Sequence, residues 1–292
     1  MTFSEGGRFE GGRVRRRTGG RTAAVGGGGL VGVIALAIYL FTGQDVSPLL
    51  GGAADGGQGG TVSEVGGCTA EEANADPTCR FSATLQALDA YWSQTLPAAG
   101  AQWTQPPGEA FEGGAPTGCG AASASTGPFY CPADQTIYLD LGFFQVLQSQ
   151  FGAQGGPLAE MYVYAHEYGH HVQNLTGVFA SADRSGGGAE SDSVRVELQA
   201  DCYAGMWARD ATQRVDPDTG VTFLEPITRE QLASALDAAA AVGDDHIQQQ
   251  SGGAVNPDTW THGSSEQRQR WFTIGYEQGS LEACDTFAVD TL

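Results

Sequence analysis

The stretch YAHEYGHHVQ, residues 164–173, sets His166 and His170 four positions apart with Glu167 directly after the first. On a helix, positions i and i+4 differ by about 40° around the axis and stand one turn apart, so both imidazoles reach one ion from one face. Glu167 is rotated by about 100° from His166, which keeps it off the ion and beside a water held there. From that place it can accept the water's proton as the water attacks. His171 points off this face and reads as structural. The chemistry that fits the spacing is metal-assisted hydrolysis.

A hydrolytic zinc takes three protein ligands and keeps one position open, so a third ligand is needed. The stretch SDSVRVELQADCYAGMW at 191–207 offers two acids four apart, Glu197 and Asp201, with Val196, Leu198, Ala200 and Ala204 around them. Buried carboxylates need cations or metals. Glu197 is assigned as the third ligand and Asp201 as the acceptor that orients one histidine through its ring N–H. The same spacing also admits the exchanged roles, or an acidic pair facing solvent. A serine or cysteine nucleophile is disfavoured, because no GxSxG occurs and the cysteines have another explanation.

HEYGH followed by ELQAD resembles the HExxH…ExxxD arrangement of thermolysin-like zinc peptidases. The chain as a whole is similar to the membrane-anchored neutral zinc metallopeptidase family of bacteria. That similarity runs from the Arg-rich start through GCGAASASTGPFYCPADQTIYLD, HEYGHHVQ, SVRVELQADCYAGMWA and THGSSEQRQRWFTIGYEQG to CDTF. It implies a single Zn2+, held by His166, His170 and Glu197, with Glu167 as general base in the hydrolysis of a peptide or protein substrate. A family member that kept the ion and lost turnover would instead be a scaffold of the cell envelope. WTHGSSEQRQR, residues 260–270, resembles the THPxxxxR stretch of CAAX-processing-type membrane peptidases, whose histidine lies near the active site. His262 is therefore a candidate donor to the developing oxyanion, although Thr261–Ser264 also reads as a helix N-cap with Glu266 and Gln267 in the first turn. Asp244 and Asp245 read as a helix terminus or turn, Trp271, Phe272 and Tyr276 as core.

The elements that must position these residues are mostly helices. Arg80–Leu96 carries Phe81, Leu85, Leu88, Tyr91, Trp92 and Leu96 at helical spacing, and Pro97 stops it. Residues 128–144 alternate β-branched and aromatic residues around a turn and read as a hairpin or edge strand, with Thr136–Asp140 (TIYLD) as the strand along which a peptide could pair. Helices are expected from about 155 to 173, 190 to 210, 228 to 242 and 264 to 278. The fold class is α+β, mainly helical, with a small β element. The insert ADRSGGGAESDS reads as a flexible excursion between the two ligand helices, bordering the cleft.

Charge and cysteines place the domain. The chain has a formal net charge of −20 and no lysine, which excludes nucleic acid as a partner. Residues 1–22 hold six arginines against two glutamates, an expected cytoplasmic arm. Residues 23–42 carry no charge and are long enough as a helix to span a bilayer, about 30 Å, so they are expected to anchor the chain in the cell membrane, N-terminus inside; a cleaved signal is the alternative. Residues 43–67, with nine glycines in twenty-five positions, read as a tether. Residues 68–292 are then one extracytoplasmic domain. Its six cysteines read as three disulfides, and their intervals suggest Cys68–Cys79, Cys119–Cys131 and Cys202–Cys284.

Overall fold

The computed structural model describes residues 2–18, 61–123 and 126–292. Strands β1 (Arg8–Phe9), β2 (Val14–Thr18), β3 (Thr61–Glu64) and β4 (Cys68–Thr69) precede helices α1 (Ala70–Ala75) and α2 (Pro77–Ala98). Strands β5 (Gly108–Phe111), β6 (Gly114–Thr117), β7 (Gly120–Ser123), β8 (Phe129–Cys131) and β9 (Thr136–Asp140) follow. The rest is helical: α3 (Phe143–Phe151), α4 (Pro157–Leu175), α5 (Val178–Ser181), α6 (Asp192–Ala211), α7 (Arg229–Ala241), α8 (Asp244–Gln250) and α9 (Ser265–Gln278).

Local chemistry sets the helix ends. Asp76 caps α2 by accepting the Cys79 N–H, with Pro77 at its first position, and Phe81, Leu85, Leu88, Trp92 and Leu96 are buried along one stripe. Pro157 opens α4, where a missing N–H leaves no helical bond unmade. Ser191 caps α6 through the Val194 N–H. Ser264 and Gln267 form a capping box at the start of α9, which ends on Gly279 at φ 65°. The long expected helices therefore stand close to where periodicity put them. Helix α3 was not expected, because Phe143 and Phe144 read there as the end of a hairpin.

Helix α4 lies at the centre and packs on α2, α6 and α7, while α6 packs on α9. Two of these approaches depend on glycine. A Cβ at Gly169 would lie 3.0 Å from the Ala200 Cα, so α4 and α6 meet at backbone distance between the two histidines of the motif. At the α6–α9 crossing, a Cβ on Gly275 would collide with the Cys202 carbonyl oxygen. Cys202 is also bonded to Cys284; the other disulfides are Cys68–Cys79 and Cys119–Cys131, all three as the intervals suggested.

The sheet corrects three expectations. Its order is β3-β2-β5-β9-β8, with β2 parallel to β5, β5 parallel to β9, and β3 and β8 antiparallel to their neighbours. Residues 136–140 are thus an interior strand, paired on both sides, and the edge beside the helices is β8. The Arg-rich residues 2–18 are not a separate arm: Phe3 and Val14 are buried, Arg13 pairs with Asp89 at 2.6 Å, and Arg17 pairs with Glu109 at 2.6 Å. Residues 61–67 are not tether either, since β3 runs along β2 with Thr18 opposite Thr61 and the Val65 N–H donates to the Val14 carbonyl. The arginines read as a charged tail because their partners, Asp89 and Glu109, lie more than seventy residues away. No helix among the described residues is long and apolar enough to cross a membrane; the expected membrane segment 23–42 lies outside them.

Candidate metal centre

His166 and His170 project from α4 toward Glu197 of α6, whose position is set by the close approach at Gly169. The His166 Nε2 stands 3.1 Å from Glu197 Oε2, and the His170 Nε2 stands 3.5 Å from Glu197 Oε1. Three ligands on a tetrahedral zinc, with bonds of about 2.0–2.1 Å, stand about 3.3 Å from one another. The observed separations bracket that value, and the three ligand atoms lie within 4.8 Å of one another. The donor set fits as well, because each Nδ1 is engaged elsewhere: His166 Nδ1 with Asp201 Oδ1 at 2.8 Å, His170 Nδ1 with Gln173 Oε1 at 2.8 Å. With Nδ1–H donating, each Nε2 carries the lone pair that a metal requires.

Asp201 is fully buried and collects donors from two helices, α4 and α9. Its Oδ1 accepts from the Tyr162 hydroxyl at 2.6 Å, from His166 Nδ1 and from Arg268 Nη2 at 2.9 Å; its Oδ2 accepts from Arg268 Nε at 2.8 Å. This is the hydrogen bond expected of an Asp201 that orients His166, and the group among the described residues that could hold an ion is His166, His170 and Glu197. Arg268, on α9, was not singled out from the sequence. The charge pair it makes is bidentate and buried.

Environment separates the ionisable groups. Burial opposes the charge on His166, but Asp201 and the hydrogen bond to Glu197 outweigh it and raise this imidazole to about 10. Burial dominates at His170, whose Nδ1 faces only the neutral Gln173, and lowers it to about 4 despite Glu197. Burial would raise Glu197, yet the charges of His170, His166 and His262 hold it well below the ordinary carboxylate range. Glu167 is pushed up to about 7 by burial, with the His166 charge opposing and the Glu197 charge adding. The backbone N–H of Tyr130 on edge strand β8 opposes part of that rise.

His262 is 8 % exposed and lines the same cavity as His166, Glu167, His170 and Glu197. It sits before the α9 cap, at the place the N-cap reading gave it, and also at the site. Its Nδ1 lies 3.3 Å from Asp244 Oδ1, while Asp244 Oδ2 accepts the backbone N–H groups of Thr261 and His262, each at 2.7 Å, and of Gly263 at 3.1 Å. Burial lowers His262, but the hydrogen bond to Asp244 and the charges of Glu197 and Asp244 raise it overall above its ordinary value. Asp244, read from sequence as a helix terminus, is that and the histidine's partner. His171, by contrast, is fully buried between the Tyr130 hydroxyl at 3.0 Å and the Thr104 carbonyl at 2.7 Å, a structural role as expected. The insert between the ligand helices does border the cleft, through Arg184, whose guanidinium lies 4.3 Å from the Phe179 ring centre.

A family model described as "Putative neutral zinc metallopeptidase" matches residues 4–287, and the chain belongs to that family. It is 54% identical over 224 residues to the uncharacterized protein Rv2575 of Mycobacterium tuberculosis, covering 77% of this chain and 75% of that one. It is 38% identical over 268 residues to the uncharacterized protein YpfJ of Escherichia coli, covering 90% of this chain and 87% of that one. No solved structure matches.

Proposed function

We propose that the protein is a zinc-dependent endopeptidase in which His166, His170 and Glu197 hold one Zn2+ and Glu167 is the general base. The reading is carried by one observation: two imidazole Nε2 atoms and two carboxylate oxygens of Glu197 converge at 3.1 and 3.5 Å, beside a buried carboxyl group that is not one of the three. When bound, the ion supplies Lewis acidity toward the peptide carbonyl and the attacking water. Glu167, raised by burial, takes the proton of that water and returns it to the leaving amine. His262, held by Asp244, donates to the oxyanion as it forms. Asp201 fixes the His166 ring, and Arg268 compensates the charge of Asp201. No acyl-enzyme forms.

The same reading puts the domain outside the cytoplasm, where three disulfides persist. The test is a comparison of cleaved peptide termini between cells carrying the wild type and cells carrying Glu167→Gln. Termini present only with the wild type are expected; identical profiles would leave the zinc-bearing scaffold as the better account.

A further inference from the structure

The cavity changes character away from the imidazoles and carboxylates. The whole cavity, the end lined by His166, His170 and Glu197 included, has a volume of about 190 Å³. Phe143, Leu147 and Phe151 follow one another at four-residue spacing on α3 and form one wall, and Val163 of α4 with Val242 and Ile247 from the α7–α8 turn and α8 line it too. Phe143 and Phe151 remain half-buried, although rings of that size are ordinarily covered when they belong to a core. An apolar cavity of about 150 Å³ is already enough to hold benzene.

Charge on this wall is accounted for. Asp244, the acid that borders it, spends Oδ2 on three backbone N–H groups and Oδ1 on His262. Glu197 faces the two imidazoles, and Glu167 lies at the same end of the cavity as these groups. A lysine or arginine side chain entering between Phe151 and Val163 would be buried without a counter-ion, which is unfavourable by several kcal/mol in about any interior. A small side chain would leave the walls facing a void.

From this geometry we infer that the cavity is the specificity pocket and takes one large, uncharged apolar side chain, phenylalanine- or leucine-sized, from a residue flanking the scissile bond. The inference deepens the peptidase reading and rests on it for the word scissile. Apart from Val163 of α4, the apolar wall comes from α3, the α7–α8 turn and α8, so its preference can be changed at residues that are not candidate metal ligands. Ile247→Trp narrows the pocket from a partly exposed position, and Phe151→Ala widens it at the α3 wall.

Two measurements on the full-length, zinc-loaded protein test this. In a peptide mixture randomised around the cut, phenylalanine or leucine is expected at one flanking position at least tenfold above alanine in kcat/KM. Ile247→Trp is expected to abolish that ratio while alanine peptides are still cut, and Phe151→Ala to reduce it. Binding is read separately: Glu167→Gln protein titrated with a pentapeptide centred on phenylalanine should bind it at least tenfold more tightly than the alanine version. Cleavage with no apolar preference, or a preference for acidic or basic residues, overturns the pocket and leaves the peptidase standing. Selective binding without any cleavage sustains the pocket and removes the peptidase. Neither cleavage nor selective binding removes both.

Discussion

At the scale of single residues, the proposed base Glu167 and the proposed oxyanion donor His262 are both raised above their ordinary values, one needed ionised and the other protonated, and that predicts a pH profile. Glu167 works ionised; burial raises it to about 7 in the absence of an ion, and a nearby dication would lower it from there. Activity should therefore fall on the acid side, below pH 7. His262 works as a donor, and Asp244 raises it, so activity should fall again as pH rises through a value above that of an ordinary histidine. The expected curve of kcat/KM is a bell. Measured on His262→Gln, the alkaline limb should disappear and kcat should drop by about 10²–10³-fold; a variant that keeps both limb and rate would remove His262 from the reaction. Glu167→Gln should lower kcat by about 10²–10⁴-fold with zinc content unchanged by elemental analysis. The ligand residues were legible in the sequence because their spacing is local, four positions on one helix and four on another. Arg268 and Asp244 were not, because Arg268 meets Asp201 from sixty-seven positions away and Asp244 reaches His262 across a loop of eighteen. One of two arginines in EQRQR and an acidic pair in GDDHIQ carry no spacing that would betray those partners.

At the scale of elements, the site is a product of how closely α4, α6 and α9 approach. Gly169 lies inside HEYGH, and its function is packing: only a residue without Cβ lets α4 sit on Ala200 and bring Glu197 within reach of both imidazoles. Gly169→Ala should move α6 outward by a few tenths of an ångström, enough to weaken zinc binding while the fold persists. A competition titration with a chelator would register this as a raised zinc Kd, and an unchanged Kd would show that the helices have slack. On the other side of α6, Asp201 and Arg268 form a buried pair with 0% and 4% of their side chains exposed. Removing one partner leaves the other charge uncompensated, so Asp201→Ala should reduce unfolding free energy by about 3–5 kcal/mol, read from denaturant melts. The pairing holds Asp201 below its ordinary value, so the stability it gives is present above the carboxylate range and lost as pH falls through the depressed value. Helix periodicity and caps made these elements readable; their crossing contacts were not, since a glycine in a helix pattern does not say which helix it admits. Strand β9 was readable as a strand but not as an interior one, because its neighbour β5 joins it from nearly thirty residues upstream.

At the scale of the whole molecule, the pairing of β2 with β3 constrains how the chain can meet a membrane. Thr18 and Thr61 are register partners, and the Thr18 hydroxyl donates to the Thr61 carbonyl at 3.3 Å. The ends of the intervening connection are therefore neighbours, whereas a helix that crossed a bilayer once would separate its ends by about 30 Å. A cytoplasmic arm and an exported domain cannot both belong to one sheet. Burial favours the sheet: Phe3, Phe9 and Val14 are in the main core, and Arg13 reaches Asp89 with only 8% of its side chain exposed. The prediction is that residues 2–18 lie on the same side of the membrane as the metal site. Cysteine introduced at the exposed Glu5, and separately at the exposed Ser251, should be modified to the same extent by a membrane-impermeant maleimide added to intact cells or spheroplasts. Modification at position 251 with protection at position 5 would mean that the arm leaves the sheet in the cell. In that case β5 would lose one of its two parallel partners, and Glu109 and Asp89 would lose the arginines that now compensate them.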